Sequence, residues 1–105
     1  MTETTLLPRP MVLEEFTPLV GKMFLAHCVP EPVEIMLIDA KPSRVHNVDA
    51  RPPFSLTFYT GPDVLLEDGI YALRCGDFGP DLVHFSSLVA PQGSQAGHYY
   101  QAIFN

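Results

Sequence analysis

The chain has 105 residues, 47% hydrophobic and only 17% charged, which suits one modest core and excludes a self-repelling disordered chain. A formal charge of −6, with six Lys and Arg scattered singly, excludes the basic footprint that nucleic acid or an anionic membrane surface demands. Two cysteines are too few for a disulfide framework, and no apolar run has the length of a membrane span, so no membrane insertion is expected.

Residues 1–12 hold Pro8 and Pro10 and read as an extended N-terminal arm. They lack the basic and apolar regions of a signal peptide. A cytoplasmic location is therefore expected, or incorporation into a particle or exported assembly. Residues 13–105 read as a single β domain. Leu13, Phe16 and Val20 recur at helical spacing and predict one or two turns of helix. Thr17 and Pro18 fit the N-cap and first position of a helix, and Gly21 fits its end.

Beyond Gly21 the apolar period becomes two. Strands are expected at Lys22–Val29, Val33–Ala40, Phe54–Thr60, Ile70–Cys75, Leu82–Val89 and His98–Phe104. Pro30-Glu31-Pro32 joins the first two tightly, and GDFGP at Gly76–Pro80 reads as a turn. Residues 41–53 form the longest polar connection. The fold class is all-β, a six-stranded, mainly antiparallel small barrel or sandwich with a short N-terminal helix.

Alternation sorts the side chains onto two faces. Phe24, Ala26, Cys28, Val33, Ile35, Leu37, Phe54, Leu56, Phe58, Tyr71, Leu73, Cys75, Tyr100, Ala102 and Phe104 share the core face. The opposite face is apolar at Met23, Leu25, Met36, Ile38, Tyr99 and Ile103, the candidate interface residues. A strand apolar on both faces is covered on both. Either the N-terminal segment (Met11, Val12, Leu13, Phe16) folds over this patch, or another chain does. The last strand also reads as an unshielded edge, which favours pairing with another chain. A protein partner or self-association is expected.

Chemistry-bearing patterns are weak. Ser86-Ser87 beside His84 reads as a structural pair, because no acid is at hand to complete a triad. His27 and Cys28 are adjacent and point opposite ways on a strand, and no CxxC, HxH or HExxH occurs. The acids Glu14-Glu15, Glu67-Asp68, Asp63, Asp77 and Asp81 fall at turns, where they cap backbone. Gly76–Gly79 lacks the Lys and following helix of a phosphate loop. No cofactor and no metal are expected.

The runs FTPLVGKMF, VEIMLIDA, PPFSLTF, DGIYALRC and YQAIFN resemble a bacterial family of uncharacterised domains, DUF6916, from about Phe16 to Asn105. The matching motifs are structural: Gly21 with Phe24, Pro53-Phe54, Gly69 with Tyr71, and the closing Phe104-Asn105. The resemblance brings no catalytic residue, and its ending near Asn105 implies a natural C-terminus. The sequence departs from the family's look at Cys75 and His84, which further weakens a metal site. The resemblance implies an accessory or structural role in a phage-tail-like or surface assembly. The expected function is a non-enzymatic interaction or assembly module. The alternatives are a small-ligand-binding β-barrel and, last, an enzyme using Cys or His.

Overall fold

The computed structural model describes residues 10–28, 31–43, 53–90, 93 and 95–104. The arm expected for residues 1–12 therefore lies largely outside the described residues, as does most of the polar connection 41–53.

Six strands form: β1 (Met23–Ala26), β2 (Val33–Pro42), β3 (Phe54–Thr60), β4 (Gly69–Cys75), β5 (Phe78–Leu88) and β6 (His98–Phe104). Every pairing is antiparallel, and the order β1-β2-β3-β6-β5-β4 closes back on β1 as a barrel. The all-β six-stranded expectation is met, and closure decides between barrel and sandwich. Closure also corrects one expectation: β6 is no edge, because it lies between β3 and β5. β5 begins at Phe78, inside the stretch read as a turn.

The expected core face is the barrel interior. Phe24, Ala26, Ile35, Leu37, Leu56, Phe58 and Leu73 are fully shielded, with Phe54, Tyr100 and Ala102 nearly so. β5 adds Val83 and Phe85. Residues nearest the strand ends, among them Val33, Tyr71, Cys75 and Phe104, are half-buried against this core. A six-stranded barrel is narrow enough for its own side chains to fill it. Here edge-to-face and tilted aromatic pairs, such as Phe24–Phe58 and Phe58–Phe85 with ring centroids 5.5 and 4.9 Å apart, do so.

Two 3-10 turns, Leu13–Glu15 and Thr17–Leu19, precede β1. Glu15 accepts a hydrogen bond from the Val12 N–H at 2.9 Å, closing the first turn. Thr17 is not the cap expected of it: its hydroxyl donates to the Leu13 carbonyl, and Phe16 holds the cap position. Val20 is exposed, so the expected Leu13–Phe16–Val20 face does not persist, because the chain leaves the turn there in extended conformation. Gly21 follows at φ 89°, and its N–H donates to the Leu37 carbonyl.

The segment also goes elsewhere than over the outer patch. Phe16 is fully buried and Met11 nearly so, both within the barrel core. Phe16 packs against Phe54, Phe78 and Phe104 at centroid distances of 5.8, 5.1 and 5.8 Å. This end of the barrel is open because β5 pairs with β6 only at Ser86–Leu88, leaving Ala102–Phe104 splayed from the start of β5. Burying a whole phenyl ring there outweighs laying it on a wall.

The opposite end is closed by the chain itself. β3 and β4 stand across the barrel from each other, three places apart in either direction, so residues 61–68 must cross its mouth. Leu66 is buried beneath that crossing.

Candidate functional site

Register places the six candidate interface residues on the outer wall. Met23 pairs with Met36, Met36 with Tyr59, Tyr59 with Tyr99 and Tyr99 with Leu88, one continuous row around the barrel. Leu25 lies two residues beyond Met23, between Glu34 and Arg74. Ile38 sits in a bulge between Leu37 and Asp39, so Ile38 and Asp39 both leave the core face. Exposures are 50% for Met23, 43% for Leu25, 38% for Ile38 and 60% for Ile103, with Met36 half-buried.

The structure thus brings Met23, Leu25, Met36 and Ile38 together on β1 and β2, and separates the other two. Ile103 pairs with Ser55, which pairs with Lys41, and the polar row Asp39–Thr57–Gln101–Ser86 intervenes. Tyr99 faces outward yet is only 6% exposed. Its ring packs 5.1 Å from that of Tyr59, and its hydroxyl donates to the Gln95 carbonyl at 2.9 Å. The Tyr59 hydroxyl donates to the Ala96 carbonyl, so the approach to β6 folds back over both rings. Alternation alone gives facing and not cover; Gly97, where a Cβ would strike the Tyr59 ring, is the sequence signal for that close approach.

Leu25 also borders a depression of about 300 Å³ shared with His27, Pro32, Ala72, Arg74 and Pro80. Sequence reasoning did not find those five. They come from four separate stretches that only barrel closure between β1 and β4 makes neighbours.

At the mouth, a groove of about 520 Å³ is lined by Cys28, Glu31, Val33, Leu65, Leu66, Glu67 and Tyr71. The crossing segment beside it is fixed by hydrogen bonds from buried side chains. The Thr60 hydroxyl donates to the Val64 carbonyl at 2.9 Å, and the Leu66 N–H donates to the Tyr100 hydroxyl at 3.0 Å. Those two hydroxyls are themselves 3.0 Å apart.

The acid missing from the Ser86-Ser87 reading is present in space. Asp68 Oδ1 accepts from both the Ser87 hydroxyl, at 2.7 Å, and the Ser87 N–H, at 2.9 Å. These bonds, the hydroxyl first, hold the Asp68 carboxyl below its ordinary range, and the His84 charge adds to the effect. A carboxylate held below its ordinary range is a weak base toward the serine proton that it accepts. The arrangement ties the end of the crossing segment to β5.

Both cysteines are free and half-buried, less enclosed than their inward positions suggested, because both sit near the barrel ends. Burial pushes the Cys28 thiol up, away from the reactive thiolate. Among the described residues no group of three His, Cys, Asp or Glu is placed to hold a metal ion. No described helix is long and apolar enough to cross a membrane.

Compared with known proteins, residues 11–104 match the model of a family described as a domain of unknown function, DUF6916. No curated protein and no solved structure matches the chain.

Proposed function

The chain belongs to the DUF6916 family, and from that premise we propose that it is a non-enzymatic protein-interaction module that docks another chain on the outer wall of β1 and β2. The observation that carries this reading is the apolar group Met23, Leu25, Met36 and Ile38, adjacent on one wall, of which Met23, Leu25 and Ile38 stay exposed. A contiguous apolar surface of this kind marks a contact site more often than a lone exposed side chain does. Methionine suits such a surface because its unbranched thioether adapts to the partner's contours. The filled interior argues against the small-ligand barrel, since fully shielded side chains occupy the volume a ligand would need. An accessory part in a tail-like or surface assembly is the setting this reading implies.

The test is mass in solution. A second copy is the simplest partner, and the wild type is expected to gain mass with concentration in light scattering. Met23→Lys with Ile38→Lys should abolish that gain while leaving the thermal unfolding transition within a few degrees. A wild type that stays monomeric at millimolar concentration, with the double variant equally stable and equally monomeric, removes self-association.

A further inference from the structure

We infer that the mouth of the barrel is a second, independent docking site, for a segment of a partner protein that presents Lys or Arg beside an apolar side chain. Leu65 is the centre of this site. It is 67% exposed, yet both its chain neighbours are anchored: the Val64 carbonyl by Thr60 and the Leu66 N–H by Tyr100. Thr60 and Tyr100 are themselves buried. The crossing segment therefore holds a large apolar side chain in water without the freedom a loop normally has. An anchor ordered before binding loses little entropy on docking, which is what a binding surface gains from preorganisation.

Charge selects the partner. The described residues of the connections at this end (27, 28, 31, 32, 61–68, 89, 90, 93 and 95–97) include Glu31, Asp63, Glu67 and Asp68 and not one Lys or Arg. All six basic residues, Arg9, Lys22, Lys41, Arg44, Arg51 and Arg74, fall outside these connections. Glu31 and Glu67 belong to the groove lining beside Leu65, with Val33, Leu66 and Tyr71 as apolar surface and Cys28 completing it. A chain segment with an apolar residue for that surface and a cationic neighbour for the carboxylates matches on both counts. An acidic or purely apolar segment fails on one count each.

The test uses two fluorescein-labelled synthetic peptides, one alternating Leu and Lys, the other Leu and Glu, read by fluorescence anisotropy at low and at physiological salt. The Leu-Lys peptide should bind, with affinity falling as salt rises. Leu65→Ala should weaken it roughly tenfold, as loss of a central anchor does. Glu31→Gln with Glu67→Gln should weaken it at least about threefold at low salt. Glu14→Gln with Asp77→Asn removes the same charge from the far end of the barrel and should leave binding nearly intact. Circular dichroism confirms that each variant is folded, as exposed positions allow. Three results overturn the proposal: no binding of the Leu-Lys peptide, equal losses in the two charge variants, or an unchanged affinity in Leu65→Ala. The Met23→Lys, Ile38→Lys protein should keep full peptide binding, so failure of the wall site and failure of the mouth site are read separately.

Discussion

The Phe16 ring lies 5.1 Å, centroid to centroid, from that of Phe78, so a residue from before the first strand meets the first residue of the fifth inside the open end of the barrel. Phe54 and Phe104, stacked 4.5 Å apart and 8° from parallel, form the rest of that plug. The N-terminal segment thus commits Met11 and Phe16 to the core, and Met23, Leu25 and Ile38 on the outer wall of β1 and β2 stay exposed. The wall reading depends on that division.

Phe16→Ala should destabilise the domain by about 3–5 kcal/mol, as removal of a fully buried phenyl ring does. Val20→Ala, four residues on and exposed, should change stability by less than about 0.5 kcal/mol. Urea denaturation of the two variants measures the difference. Similar values for both would mean the turns only rest on the barrel.

The strands were legible because their period is two and because proline and glycine punctuate them, and Phe54–Thr60 and His98–Phe104 begin and end as read. Other features were not legible, each for a tertiary reason. Phe16 has the same spacing whether it enters a barrel or lies on its wall. Phe78 reads as turn because Gly76, Gly79 and Pro80 surround it, although the pairing of Cys75 with Phe78 makes it strand. Tyr99 alternates outward, and only the return of residues 95–97 buries it. The β1–β2 half of the apolar patch was visible in the sequence; the mouth groove was not, because Leu65 and Leu66 look alike until Tyr100 fixes one inside.

Tyr100→Phe should cost about 1–3 kcal/mol, because the Leu66 N–H is left buried without the hydroxyl that accepts from it. The ring still fills the core, so the loss reports the hydroxyl's hydrogen bonds, with the Leu66 N–H and with Thr60. Amide exchange at Leu66 should quicken more than exchange in the middle of β3. Unchanged exchange would show that the crossing is held by packing alone.

Asp68 sets a direction for acid stability. Its folded-state value lies below the ordinary 3.8 because Ser87 donates to it. The stabilisation is therefore fully present above the ordinary carboxylate range and is lost as pH falls through the depressed value. Asp68→Asn should flatten the acid limb of a Tm–pH curve. Ser87→Ala should raise the Asp68 value only in part, since the Ser87 N–H still donates. A carboxyl that titrates by NMR at the ordinary value would refute the clamp.

Cys28 should react with a thiol reagent more slowly than a cysteine in an unstructured peptide at pH 8, because burial raises its pKa and lowers the thiolate fraction. Its labelling rate should keep climbing with pH after the peptide's rate has levelled. Equal rates at every pH would place the thiol in open water.

The turn between β4 and β5 offers two glycines with positive φ and opposite surroundings. Gly76, at φ 58°, has open space where a Cβ would project. Gly76→Ala should therefore cost only the left-handed backbone penalty, about 1–2 kcal/mol. Gly79, at φ 87°, has the Leu73 carbonyl oxygen where its Cβ would stand, with Arg74 Cα and Asp81 N each 3.2 Å away. All three are backbone atoms of the paired strands, so none can rotate aside as a side chain would. The register shift between Leu73 and Cys75 is what brings the two backbones this close. Gly79→Ala should thus cost roughly 3 kcal/mol or more, by prising the end of β5 from β4. Because Phe78 packs on Phe16, the damage should spread to the plug, and the indicator is a shift of the Phe16 ring resonances in Gly79→Ala but not in Gly76→Ala. Equal stability losses with no change at Phe16 would mean that the turn yields locally and the close approach of β4 and β5 does not brace the open end.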